Sequence, residues 1–358
     1  MEKVDRIRIG GLKVLEEGAC VVSSSPLADS RLGPEVCAPL ARNRINLTFL
    51  THVAGDREVL CTASGAGEAS LTLLKSHAGP GGALTLQPGT SILAVYPHDQ
   101  RPEVIGTFIR SLARARVVLH GLASSPSAIA VVLSSARVKA AVHQLFDHFL
   151  FPGFSAPAEF FGAQAPPQEY LEKVVATYQE KVIKVYCIIP QPDLDLWGMS
   201  IASADILAGF AEALMEMGQL GLAIPFLVAL PGLGGKEFIL SFSTARRQPA
   251  SHRLEACATG DHGSEVRRIL THHVPDLRPM RLTPVAGIFL HGPHFGDRYG
   301  IAHSLVSALE NAHISLLALS CTISSISLII RQQELAAAQV ILGNTFAAPV
   351  ECAAASQA

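Results

Sequence analysis

The sequence predicts an α+β protein of four repeated units with antiparallel sheets. Three observations lead there. One order of patterns (strand, loop, helix, strand, turn, strand, further helix) recurs four times, its apolar runs are short, and no long apolar span interrupts it.

The first unit, about 14–78, opens with the strand ACVVSS and a helix whose Leu32, Val36 and Leu40 fall at helical spacing. NLTFLTHV reads as a strand, GD as a turn, EVLCTA as the next strand and GEASLTLLKSH as the closing helix. The second, about 90–151, repeats this with SILAVY, a helix carrying Val104, Ile105, Phe108 and Leu112, then VVLHGLA, SAIAVVL and ARVKAAVHQLFDHF. The third, about 182–260, has VIKVYCII, a helix with Ile206, Leu207, Phe210 and Leu214, AIPFLVAL, EFILSFS and a less regular SHRLEACATG. The fourth, about 284–347, has VAGIFLHG, Ile301, Leu305 and Leu309 on its helix, ISLLALS, SISLII and QELAAAQVILGNTF. Such patterns recur by chance in any apolar chain, but four copies in one order make chance a poor account. Short antiparallel strands beside two helices give a ferredoxin-like layer, βαββα with one strand still to find.

The composition fits several small units. The 358 residues allow two or more domains, and a 49% apolar with a 16% charged share leaves a weakly polar surface that suits homo-oligomers. A formal charge of −2 gives no footprint for nucleic acid and no basic run for a membrane surface. MEKVDRIRIGG lacks the apolar core of a signal peptide, and the expected location is cytoplasmic. The seven cysteines are scattered and never in a CxxC pair, as expected of reduced, inert thiols.

The fourth unit, HGPHFGDRYGIAHSLVSALENAHISLLALSCTISSISLII, resembles the last ACT domain of aspartokinase, in which a β1–α1 loop leads to a helix ending in an Ala-Gly-Ile-Asn turn. That turn is Ala312, His313, Ile314 and Ser315 here, and Ile45 and Asn46 stand in its Ile-Asn position in the first unit. The pattern decays to Arg116, Val117, Val118 in the second unit and Gly221, Leu222, Ala223 in the third. The resemblance implies two aspartokinase-type pairs of ACT (βαββαβ) units, 1–152 and 153–358, joined through GFSAPAEFFGAQAPP. It also implies the missing strands: 6–11 in the first pair and 173–179 in the second, shared between partner units.

Catalytic chemistry is hard to find. No GxxxxGK[ST] or GxGxxG precedes a helix, and the glycine-rich PGLGGKEF sits between strands as a hairpin turn. No serine, Ser125 and Ser324 included, lies in a GxSxG elbow. Asp193 and Asp195 in QPDLDLW read as solvated or capping groups in a loop. His291, His294, Asp297 and His303 crowd one span and His272 and His273 another, but neither has a standard zinc spacing, so no metal and no cofactor are expected. The chain is accordingly expected not to be an enzyme.

Binding chemistry remains. In an ACT unit the helix after β1 turns its unpaired N–H groups and partial positive charge toward a loop where a carboxylate effector can lie. The resemblance places Ser25, Asp29 and Ser30 in that loop of the first unit, Asn46 at its turn, and Thr51 and His52 near the strand end, as ligand contacts. His294, Asp297 and Ser315 are the corresponding candidates in the fourth unit; Ala223 and Pro225 leave the third without polar contacts. The expectation is a non-catalytic regulatory protein that binds a small effector of the amino-acid class. The alternative is a scaffold subunit with vestigial sites that binds a biosynthetic enzyme.

Overall fold

The computed structural model describes residues 6–24, 32–54, 57–63, 67–77, 83–163, 183–201, 206–231, 238–246, 262–292, 298–322 and 325–348. In chain order the first segment comprises β1 (Ile7–Arg8), β2 (Gly11–Ser24), a π-helical turn (Leu32–Cys37) continuing into α1 (Ala38–Arg42), β3 (Leu47–Val53), β4 (Arg57–Ala63) and α2 (Gly67–His77). The second has β5 (Ala83–Tyr96), α3 (Pro102–Arg114), β6 (Leu119–Ser124), β7 (Ile129–Ser134), α4 (Val138–His148) and β8 (Phe149–Leu150), followed by α5 (Pro157–Gly162). The third has β9 (Ile183–Lys184), β10 (Cys187–Ile201), α6 (Ile206–Gln219), β11 (Leu222–Pro231), β12 (Phe238–Arg246) and α7 (His262–His273). The fourth has β13 (Met280–His291), α8 (Ile301–Asn311), β14 (Leu316–Cys321), β15 (Ser325–Arg331), α9 (Leu335–Thr345) and β16 (Phe346–Ala347).

The expected α+β class with antiparallel sheet is what the chain adopts. Two local devices recur in all four segments. After the first helix one residue takes a left-handed conformation: Arg44 (φ 57°), Arg116 (φ 50°), Gly221 (φ 72°) and His313 (φ 57°). The backbone then folds back, Ile45 N–H to Leu40 O (2.9 Å), Val117 to Leu112 (3.1 Å) and Ile314 to Leu309 (3.0 Å), a Schellman closure that satisfies carbonyls the helix end leaves open. The following strand bulges against its hairpin partner, between Leu47 and Phe49, Leu119 and Gly121, Ala223 and Phe226, and Leu316 and Ala318.

The strands close into one barrel in the order β10-β12-β11-β6-β7-β5-β2-β4-β3-β14-β15-β13, which closes through β10. β2 lies against β5 and β10 against β13, tying first to second and third to fourth segments. Two seams cross between these halves. β6 meets β11 (Ala123 opposite Val228) with α3 packed on α6, and β3 meets β14 (Thr51 opposite Ser320) with the π-helical turn packed on α8. Inside, a core from all four segments, mostly small and branched residues such as Cys20, Ala94, Ala130, Val228 and Ala318 together with Phe49 and Phe226, fills the barrel. Outside, Val104, Phe108, Phe210 and Leu214 anchor the helices of the second and third segments, and Leu40, Leu305 and Leu342 those of the first and fourth. Each buried leucine or phenylalanine is worth about 1.5–3 kcal/mol against exposure.

Several expectations need correction. QPDLDLW lies in β10, a strand rather than a loop. Asp193 stands at its bulge (φ 57°) and exchanges two hydrogen bonds with Gln332, and Asp195 is buried. The run VIKVYCII breaks into β9 and the start of β10, and the strand that pairs with β12 is the later part, Asp195 to Ile201. Within IRIGGLKVLEEGACVV, β2 runs unbroken from Gly11 to Ser24, with register shifts against β5 between Leu15 and Ala19. Within 153–167 the helix α5 buries Phe160 against the core. SHRLEACATG and 173–179 lie outside the described residues, and the helix after β12 is α7, with His272 and His273 in its last turn. The segment 6–11 contributes β1, which runs parallel to β8, as β9 does to β16.

Candidate functional site

At the seam of the first and fourth segments, the start of one helix faces the end of another. α8 begins after Gly300, whose φ of 84° suits glycine, and among the described residues no side chain caps its first N–H groups. Gly300 O instead accepts from Ser304 N–H (2.9 Å) and Ser304 Oγ (3.0 Å). In front of this turn lies a cavity of about 10 Å³, room for about one water. Arg298, Gly300, Ile301, Ala302 and His303 line it from the fourth segment, with Cys321 from β14. Cys37, Leu40, Ala41, Ile45 and Leu47 line it from the first.

The chemistry of this wall is receptive rather than reactive. The open helix start and Arg298 favour negative charge, and the remaining residues are mostly apolar. His303 Nδ1 shares a hydrogen bond with Ser307 Oγ (3.0 Å). Burial pushes the Cys321 thiol up to about 12, which leaves it protonated and unreactive. At the opposite end of the seam the chain supplies its own anion: Gly33 N–H donates to Glu310 Oε1 of α8 (3.0 Å), at the helix start where a ligand's carboxylate was expected.

Of the predicted residues, Ser25, Asp29, Ser30, His294 and Asp297 lie outside the described residues. Asn46 is half-buried between two cavity-lining neighbours, Ile45 and Leu47. Thr51 and His52 are buried ladder residues of β3, opposite Ser320 and Leu319, and Ser315 is exposed; none of the three lines the cavity. Sequence reading missed Arg298, Gly300 and the helix-end residues Cys37, Leu40 and Ala41, because the two walls lie far apart in the chain. The position of Arg298 beside Asp297 was the available signal.

Elsewhere the polar groups are structural. Asp195, 3% exposed, receives Arg281 Nη2 (2.9 Å) and His262 Nε2 (2.8 Å). Burial raises its pKa, but hydrogen bonds from His262, Thr283 and Arg281 outweigh this and hold the carboxyl below its ordinary value. Arg267 and Arg281 flank the buried Trp197 ring at 5.7 Å, and the indole N–H donates to Thr244 Oγ1 (3.1 Å). His273 donates to Glu216 (2.8 Å), joining α7 to α6. Ser125 lies in a buried turn, its N–H given to Ala128 O (2.8 Å); Ser324 and 232–237 of the glycine-rich turn lie outside the described residues. Among the described residues no group of three His, Cys, Asp or Glu is placed to hold a metal ion, and no helix is long and apolar enough to cross a membrane.

Residues 284–344 match the ACT domain family. No curated protein matches the chain. Among solved structures, an aspartate kinase from Synechocystis is similar in fold over 94% of this chain at a TM-score of 0.72 and 13% identity; this chain spans 56% of its length. The regulatory subunit of aspartate kinase from Thermus thermophilus matches 40% of this chain and 99% of its own, at 17% identity and a TM-score of 0.35. An aspartate kinase from Clostridium acetobutylicum matches 42% of this chain and 37% of its own, at 12% and 0.36. The last two likenesses are too loose to carry an argument. The first corrects the expectation that the chain is not an enzyme: nearly all of it follows the fold of a chain that is itself an enzyme, so the fold gives no ground for excluding catalysis.

Proposed function

We propose that the chain binds a small molecule, an amino acid by the chemistry of the seat, at the seam of the first and fourth segments, and that occupancy acts as a regulatory signal. The carrying observation is the cavity itself, which sets the α8 start and Arg298 against apolar side chains of the other segment. Its fourth-segment wall lies within the stretch that matches the ACT family. In this reading all four segments are ACT units, grouped as pairs 1–152 and 153–358; the four left-handed turns and four bulges at one position support it. A carboxylate would lie at the α8 start and an aliphatic body against Leu40 and Ile45, and the two walls must part to admit it.

The small cavity and the Glu310 cap favour a second reading, in which the sites are vestigial and the chain regulates a biosynthetic enzyme by binding it. A thermal-shift screen of the amino acids separates the two. A ligand that binds only the folded state stabilises it by RT ln(1 + [L]/Kd), about 2.7 kcal/mol at a hundredfold excess over Kd. At least one amino acid should raise the melting temperature, and Asn46→Ala, beside the cavity wall, should shrink that rise. A flat response to the whole panel would remove the effector reading and leave the second.

A further inference from the structure

At the other seam the loop and the bulged strand that correspond to the walls of this cavity meet directly. In the second segment the loop 97–101 leads into α3, as 298–300 leads into α8, and it faces the β11 bulge of the third segment. The bulge, with Pro225 inside it, turns Ile224 N–H out of the β12 ladder. That N–H donates to Gln100 O across the seam (2.9 Å). An N–H in this position would otherwise be offered to a ligand's acceptor atom.

The loop holds this carbonyl in place by an unusual course. Asp99 (φ 50°) and Gln100 (φ 57°) are consecutive non-glycine residues in the left-handed region, a conformation that persists only where surrounding contacts determine it. Those contacts are present. His98 N–H donates to Ser127 O (3.0 Å), Gln100 N–H is shared by Pro126 O (3.2 Å) and His98 Nδ1 (3.1 Å), and Arg101 N–H returns to His98 O (2.9 Å). The His98 ring is fully buried, and burial lowers its pKa to about 4, so it stays neutral and Nδ1 remains an acceptor. Beside the loop the helices leave no slack: a Cβ on Gly218 would lie 2.8 Å from Glu103 Oε2, and one on Gly106 2.7 Å from Ala211 O.

We infer that the seat between loop 97–101 and the β11 bulge is closed by the chain itself, the Gln100 carbonyl standing where a ligand's acceptor would. This rests on the proposed function for the meaning of the seat, but the closure is a statement about the ligand-free protein.

Residue-resolved amide hydrogen exchange on the full ligand-free chain tests it. Ile224 N–H should exchange at least ~100-fold more slowly than in an unstructured peptide. Gln100→Gly keeps the positive φ available and should leave that protection intact. Gln100→Pro imposes a negative φ and should speed Ile224 exchange at least ~10-fold while the β15 amides are unchanged, which shows that the barrel remains folded. Fast exchange of Ile224 in the parent, or protection unaltered by Gln100→Pro, overturns the inference. No ligand is added, so the result does not depend on whether any amino acid binds.

Discussion

Replacing Gly106 and Gly343 by alanine, one at a time, tests how tightly the seam of the second and third segments is held. Both glycines lie inside helices, α3 and α9, where alanine is favoured by about 1 kcal/mol. At Gly343 an added Cβ meets nothing within 4 Å, so the change should stabilise by about 0.5–1 kcal/mol. At Gly106 the Cβ would lie 2.7 Å from Ala211 O, 3.1 Å from Met215 Cγ and 3.3 Å from Leu214 Cβ, all on α6. A helix carbonyl cannot swing aside as a side chain can, so α3 and α6 must separate. Overpacking of this kind costs about 1–3 kcal/mol, set against the propensity gain of about 1 kcal/mol, for a net loss of up to about 2 kcal/mol. Thermal melting followed by circular dichroism reads both, at about 1–2 °C per kcal/mol for a chain of this size. Gly343→Ala should raise the melting temperature and Gly106→Ala lower it. A Gly106→Ala protein that melts at or above the parent refutes the close approach.

Asp195→Asn leaves Arg281 without its buried counter-charge and takes a carboxylate oxygen from His262, and should destabilise by about 3 kcal/mol, measured by urea unfolding at pH 7. Because the folded pKa of Asp195 is depressed, its contribution is present above the unfolded value and lost as pH falls through the folded one, so this variant should also lose less stability than the parent as the solution is acidified. His98 has the same sign with a different window: the unfolded chain takes up its proton near 6.5 and the folded one near 4. Its share, on the order of 3 kcal/mol, is therefore complete above pH 6.5 and lost toward pH 4. Nuclear magnetic resonance of the His98 ring should show it neutral at pH 5; a protonated ring at that pH contradicts its burial.

The helices of the second and fourth segments were legible because their apolar spacing is unbroken: Val104, Ile105, Phe108 and Leu112 are all at most 1% exposed. The closing turn was legible only through its consequence, since Ile45, Val117 and Ile314 follow the left-handed residue that the helix end requires. Barrel closure was not legible. Apolar strands such as β6 and β11 can pair with many edges, and nothing local in LHGLAS names LAIPFLVALP as its partner. Asp195 was misread for a related reason: a lone acidic residue reads as solvated until Arg281 and His262 are known to converge on it. The candidate site was half legible. The resemblance drew attention to Asn46 and to the loop ending at Asp297, neighbours of the cavity wall, but assigned them to separate sites because the meeting of first and fourth segments is purely tertiary.

The effector reading is tested most directly by equilibrium dialysis of the chain against each labelled amino acid, repeated with Ala302→Leu, which places a larger side chain in the cavity wall at the start of α8. The account predicts that the parent retains at least one amino acid, at no more than about one per chain at this seat, and that Ala302→Leu releases it while its melting temperature shows a folded protein. Retention of none by the parent, or undiminished retention by the variant, would contradict the placement of an effector at the seam of the first and fourth segments.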